Sequence, residues 1–185
     1  LLLGYPAAYI MAMADFKTPQ VMAMLFILPM WINFLLRTIA TVELFRMFGL
    51  PLGEGALLFG MVYDFLPFMI YPIYNTLQKM DTSLIEAAHD LGAKRSQVFM
   101  KVTLPLSVPG IYSGIVMVFM PTVSTFAIAE LLTHNKVTLF GSLIQRCFGE
   151  GGIAMWNYGA ALSLIMLIII GLTSFFGGDK EDINR

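Results

Sequence analysis

Hydrophobic and polar positions along this chain segregate into long apolar runs joined by short polar breaks. The first run, "LLLGYPAAYIMAMA", holds 14 residues before Asp15, whereas a membrane span needs about 20. It has no charged leading region and no cleavage site before a soluble domain, so it is a poor signal peptide. It predicts a truncated helix with at least one element missing upstream. Four further spans are predicted. Val21–Leu36 is free of charge and is expected to run on as helix past Arg37 toward Phe45. Gly55–Leu77 is interrupted only by Asp64, and Leu104–Ala129 has no charge over 26 residues. Gly152–Phe176 is the cleanest. At a rise of about 1.5 Å per residue each can cross about 30 Å of hydrocarbon. The pattern predicts an all-α, polytopic transmembrane helical bundle of five spans, the first incomplete.

Composition agrees. Of 185 residues, 58% are hydrophobic and 12% charged, with mean hydropathy +0.78. A soluble domain carries about 25% charged residues. A net charge of −1 argues against a nucleic-acid binder. The single cysteine, Cys147, allows no disulfide within the chain. Apolar packing accounts for the 14 methionines and 15 phenylalanines, and no cofactor is needed to explain them.

Lys and Arg set the expected orientation. One set of alternate loops carries Lys17, Lys79, Lys94, Arg95, Lys101, Lys180 and Arg185. The other carries Arg46, Lys136 and Arg146, with Arg37 near a helix end. The bias puts the Gln78–Thr103 segment and the C-terminal tail in the cytoplasm, and the Arg46–Glu54 and Leu131–Gly151 loops outside. Pro29, Pro67, Pro72, Pro109 and Pro121 fall inside spans, where neighbouring helices can satisfy the freed carbonyls. They read as kinked packing or as broken helices lining a pathway. Gly110 and Gly114, four apart, allow another helix of the chain to approach closely.

The most polar stretch in the middle of the chain is "SLIEAAHDLGAKRSQVFMKVTLP", Ser83–Pro105. Ser83 and Glu86 have capping-box spacing. Leu84, Ala87, Ala88 and Leu91 share one helical face. Glu86, Asp90 and Lys94 make a charged one. Gly92 is a natural terminator, Ser96 can cap a second short helix, and Pro105 lies beyond that helix, where the chain turns into the next span. A DNA-reading helix-turn-helix would need a soluble domain and a basic face, yet membrane spans begin within a few residues on both sides. A plain connector and a docking element for a cytoplasmic partner remain.

The segment resembles the EAA loop of membrane subunits of binding-protein-dependent ABC importers. That family's pattern is E-A-A, three residues, G, nine residues, I-x-L-P. Here stand Glu86-Ala87-Ala88, Gly92 and Val102-Thr103-Leu104-Pro105, with Val102 for Ile. "GYPAAYIMA", "WINFLLRTIA", "MVYDFLPFMIYPIYNTLQKMD" and "STFAIAELL" are similar to the spermidine/putrescine permease branch. The resemblance implies a single transmembrane domain over residues 1–185 with the type I importer permease fold, and a coupling loop at 83–105. It also implies that Glu86, Ala87, Ala88, Gly92, Leu104 and Pro105 form the contact with the ATPase. The implied partners are an ABC ATPase dimer, a second permease subunit and an external solute-binding protein, in a bacterial cell (inner) membrane.

The chain itself lacks G-x-x-x-x-G-K-[ST], so ATP hydrolysis is expected from a separate subunit. No catalytic, cofactor or metal site is expected: His89 and His134 fall on opposite sides of the membrane, and Cys147 has no nearby His. Intramembrane charge is a candidate functional feature. Asp64 or Glu130, with the aromatic Tyr63, is a candidate for a polyamine pathway; the alternative for each carboxylate is pairing with an Arg such as Arg37. Tyr71 and Tyr74 are more readily packing residues, and Trp31 and Trp156 read as interfacial anchors. An importer of another small solute and an ion-coupled secondary transporter remain as alternatives.

Overall fold

The computed structural model describes residues 1–13, 19–134, 136–149 and 152–178. Lys17, Lys180 and Arg185, part of the orientation argument, lie outside the described residues. The chain is helical in the order α1 (Gly4–Met13), α2 (Pro19–Ile27), a 3-10 turn (Leu28–Trp31), α3 (Phe34–Met47), α4 (Glu54–Gln78), α5 (Thr82–Asp90), α6 (Arg95–Val98), a π turn (Phe99–Thr103), α7 (Leu104–Ser124), α8 (Ala127–Thr133), α9 (Phe140–Gly149) and α10 (Gly152–Gly178). Among the described residues, Glu54–Gln78, Arg95–Ser124 and Met155–Ser174 are each long and apolar enough to cross a membrane.

Two expected spans are broken. The apolar run beginning at Val21 bends by 98° between Met24–Trp31 and Phe34–Met47. Pro29 cannot donate to the helix ladder, Ile32 is extended at ψ 134°, and the Asn33 side chain restarts the helix by accepting the Leu35 N–H at 2.9 Å. The run from Leu104 stops at Ser124. Pro121 removes one N–H, and the Ser124 hydroxyl competes for the Met120 and Pro121 carbonyls at 3.1 and 3.3 Å. Thr125 is then extended at ψ 142°. Gly141 of α9 fills this break: a Cβ there would lie 2.5 and 2.6 Å from the Ser124 and Thr125 carbonyl oxygens. By contrast, α4 runs through Pro67 and Pro72 without interruption.

The central helix is α4. It packs along α7 and also touches α1, α3 and α8. One half of α4 meets α1, where Tyr5, Ala8 and Met11 bury against Met69, Ile70, Ile73, Tyr74 and Leu77. The other half meets α3 and α8, where Ala56 and Leu57 bury with Val42, Ile128, Ala129 and Leu132. The close approach to α7 comes from the glycine pair. A Cβ on Gly110 would collide with the Thr76 side chain and lie 2.9 Å from the Pro72 carbonyl oxygen. A Cβ on Gly114 would lie 2.7 Å from Met69 Sδ. The small residues therefore serve contact within the chain. The Leu131–Gly151 loop contains an unanticipated amphipathic helix, α9, whose Cys147 and Phe148 pack against Gly159 of α10. Trp31 and Trp156 are 85% and 50% exposed.

Candidate functional site: a projecting hairpin and a buried ion pair

The hairpin between α4 and α7 is built from local rules. Asp81 caps α5, its Oδ1 accepting the Ser83 N–H at 2.9 Å. These hydrogen bonds hold the Asp81 carboxyl below the usual carboxylate range, the backbone one foremost. The Ser83–Glu86 capping box is thus not the one used. A carboxylate two residues ahead of a free amide outcompetes the hydroxyl at the positive end of the helix, and Ser83 and Glu86 fall inside the helix. Gly92 ends the turn at φ +80°, in the left-handed region where glycine carries no Cβ penalty. Space plays no part, since nothing lies within 4 Å of a built Cβ. Ser96 does not cap the second helix. Lys94 stands at that position, and its N–H is taken by Gln97 Oε1 at 2.9 Å.

Nor is the second short helix separate. Arg95–Ser124 is one continuous helix of 30 residues. The π turn widens it just ahead of Pro105, where an ideal α-helix would press the proline ring onto the Lys101 carbonyl. Leu104 and Pro105 therefore open α7, and only α5 projects. Glu86 and Ala87 are exposed and Ala88 half-buried. Leu84 is 47% and Leu91 88% exposed, and α5 has no buried residue. Among the described residues α5 rests on α6 and the π turn, and Leu84 and Leu91 of its apolar face stay open.

The base of the hairpin is held firmly. Val98 and Thr103 are buried. The Phe99 ring sits edge-on to Tyr5 and Tyr9, with centroids 5.9 and 5.3 Å apart. The Ser107 hydroxyl donates to the Leu104 carbonyl at 2.8 Å; its one proton is then used, so the Tyr5 hydroxyl, 2.9 Å away, donates to Ser107. Sequence patterning does not reveal this anchor, because Tyr5 and Ser107 are 102 positions apart.

In the membrane core, Asp64 is 1% and Arg37 6% exposed, with Arg37 Nε 3.3 Å from Asp64 Oδ1. Asp64 is thus paired with Arg37. Thr38 Oγ1 lies 3.1 Å from Asp64 Oδ2, and Arg37 Nη2 donates to the Asp64 main-chain carbonyl at 3.4 Å. The guanidinium also faces the Tyr63 ring at 5.8 Å. Tyr63 is 43% exposed. Glu130 stands apart, exposed on α8. Among the described residues no group of His, Cys, Asp and Glu is arranged to hold a metal ion.

Comparisons with known proteins agree with this architecture. Residues 4–178 match the family described as binding-protein-dependent transport system inner membrane component. The spermidine/putrescine transport system permease protein PotB of Escherichia coli K12 is 35% identical over 93% of this chain and 68% of its own length. The Haemophilus influenzae PotB is 35% identical over 95% of this chain and 66% of its own, and the PotB homolog of Mycoplasma pneumoniae 31% over 80% and 56%. The chain thus spans about two thirds of the length of its nearer relatives here. A chain of the MetNI methionine ABC transporter, solved in inward facing conformations, shares the fold with TM-score 0.69 at 20% identity, covering 95% of this chain and 83% of that one. A helical bundle with this central hairpin, matched over nearly its whole length, belongs to the inner membrane components of binding-protein-dependent transport systems.

Proposed function

We propose that this chain is the permease subunit of an ATP-driven importer of polyamines such as spermidine and putrescine. The observation that carries the coupling role is α5, an amphipathic helix whose apolar Leu84 and Leu91 are exposed, on a base fixed by Phe99, Tyr5 and Ser107. A rigid base and an uncovered face are what a mechanical contact requires. Glu86, Ala87, Ala88 and Gly92 would meet a groove of a separate ATPase subunit, one on each half of an ATPase dimer. Leu104 and Pro105 would carry the movement into α7. Residues 1–185 would act as one transmembrane domain with 83–105 as its coupling segment.

Closing of the ATPases on ATP would move α5, and continuity of Arg95–Ser124 lets that movement reach the bundle as one lever. Alternating access would then occur between this chain and a second permease subunit, with solute delivered by a binding protein outside. The cation distribution favours a bacterial inner membrane topology with the hairpin and C-terminus in the cytoplasm. The polyamine assignment draws on the names of the PotB relatives. Tyr63 and Glu130, both exposed, would face the pathway, and Asp64 would meet it through Arg37.

The test is co-purification from native membranes together with uptake of labelled putrescine. The wild-type chain is expected to bring down a Walker-A ATPase and to support uptake; Glu86→Arg/Gly92→Glu should lose both while the chain still folds. A well-folded wild type without an ATPase would overturn the reading.

A further inference from the structure

The Arg37–Asp64 pair is buried but under-satisfied. Arg37 Nε and Asp64 Oδ1, both shielded from solvent, face each other as an ion pair without hydrogen-bond geometry, and Arg37 Nη1 has no hydrogen-bond partner among the described residues. At 3.3 Å the pair is longer than a well-formed charge-assisted hydrogen bond, about 2.7–2.9 Å. A buried polar atom left without a partner carries an uncompensated desolvation cost. An arrangement that satisfied these atoms would therefore compete with the one present.

There is space beside the pair. The 98° bend ahead of α3 opens a cavity of about 470 Å³ between Trp31, Asn33, Phe34, Phe65 and Phe68, and Arg37 lines it. Asp64 does not line it, so Arg37 stands between the cavity and the carboxylate. Trp31, Phe34, Phe65 and Phe68 give it aromatic walls, and outside it the guanidinium also lies against the Tyr63 ring. A cation entering the cavity meets π faces that favour it and, behind Arg37, a carboxylate that the guanidinium holds poorly.

We infer that Arg37 is a resident stand-in for the transported cation. A substrate ammonium displaces its guanidinium from Asp64, and the guanidinium swings into the aromatic cavity. The exchange leaves net charge in the membrane core changed only by the substrate itself. It gives Asp64 a cationic partner whether the site is occupied or empty, while the displaced guanidinium exchanges its carboxylate for the aromatic faces of Phe34, Phe65 and Phe68. Displacement also makes the site selective. A neutral solute of similar shape cannot replace Arg37, because removing the guanidinium without supplying a charge leaves Asp64 unpaired. Arg37 is then a specificity-determining residue, and Thr38, whose hydroxyl is shared between the Phe34 carbonyl and Asp64 Oδ2, lies beside the carboxylate.

This inference rests on the polyamine reading above. The experiment measures labelled putrescine bound at equilibrium by the purified permease–ATPase complex without its binding protein, beside uptake by the complete transporter in proteoliposomes. Asp64→Asn is expected to weaken binding about tenfold, the value of one charge-assisted contact. Arg37→Met should tighten binding and slow uptake, because the competitor for Asp64 is gone and release becomes slow. Arg37→Lys, which keeps a cation and guards against misfolding of Arg37→Met, should remain displaceable and keep uptake. A pair that serves only to hold α3 on α4 would lower folded yield in the single variants and leave putrescine affinity of the folded fraction unchanged. That outcome, with wild type carrying putrescine, overturns the exchange alone. Wild type that neither binds nor carries putrescine overturns the polyamine reading instead.

Discussion

Phe99, in the π turn that follows the hairpin, sets its ring edge-on to Tyr5 of the first helix, 5.9 Å between centroids. The contact ties the base of a projecting element to a helix almost a hundred residues away. Aromatic pairs of this geometry add about 0.5–1.5 kcal/mol beyond the area they bury. Phe99→Ala should therefore destabilise the bundle by about 2 kcal/mol, since the ring is only partly buried. It should reduce uptake by more than that loss of folded protein accounts for. Thermal unfolding in detergent, set beside uptake per folded molecule, checks this. Tyr5→Phe, which removes the hydroxyl that donates to Ser107, should cost about 1 kcal/mol.

Gly92 separates strain from space. Its φ is +80°, and a Cβ would touch nothing within 4 Å. Gly92→Ala should cost about 1–2 kcal/mol through conformation alone, and Gly92→Asn less, because Asn tolerates the left-handed region. Denaturant unfolding of the two variants gives the order. A larger loss for Asn would mean that a side chain meets an obstacle, which would have to be the docked partner.

At Gly110 the order reverses. Here φ is ordinary and space is absent, with Thr76 and the Pro72 carbonyl against the missing Cβ. Gly110→Ala should destabilise by about 1–3 kcal/mol through overpacking. Thr76→Ala should recover part of the loss by removing one obstacle, while the Pro72 carbonyl remains. A double-mutant cycle on thermal stability measures the coupling.

Asp81 gives α5 a pH dependence. Its folded pKa lies below the unfolded value near 3.8, because it accepts from Ser83. The cap is therefore present in full above the unfolded value and is lost as pH falls through the folded one. Amide exchange at Ser83 should accelerate in that acidic window, below the unfolded pKa. In Asp81→Asn, which keeps an acceptor but cannot titrate, the acceleration should vanish.

Much of this molecule is legible in the residues taken in order. The apolar runs point to helices, because they are long and unbroken, whereas barrel strands are short and alternate. The spacing of Glu86, Ala87, Ala88, Gly92 and Pro105 identified the hairpin and its family. Gly110 and Gly114 signalled close packing, since only missing side chains permit it. The prolines signalled kinks or breaks within the spans, but not that Pro29 and Pro121 would be the ones to end a helix, at the bends after Trp31 and Ser124. Hydropathy averages over a window and cannot tell a proline that a helix absorbs, as at Pro67 and Pro72, from one that ends it. What separates the two is whether a neighbour supports the break, as Gly141 does against the Ser124 and Thr125 carbonyls. The caps escaped for a related reason: Asp81 and Ser83 both suit the position, and competition for one amide decided it.

Which charges meet, and which faces stay open, was settled only in three dimensions. Asp64 and Arg37 each announce themselves as charges in apolar surroundings, but 27 positions separate them, and only the packing of α3 on α4 makes them a pair. The aromatic anchor of Phe99 on Tyr5 likewise depends on α1 lying along α4. Local patterning dictates what each segment can become, since backbone and solvent act on neighbours in sequence. Long-range partners depend on which surfaces the bundle brings to the same place, and that is a property of the packed helices together.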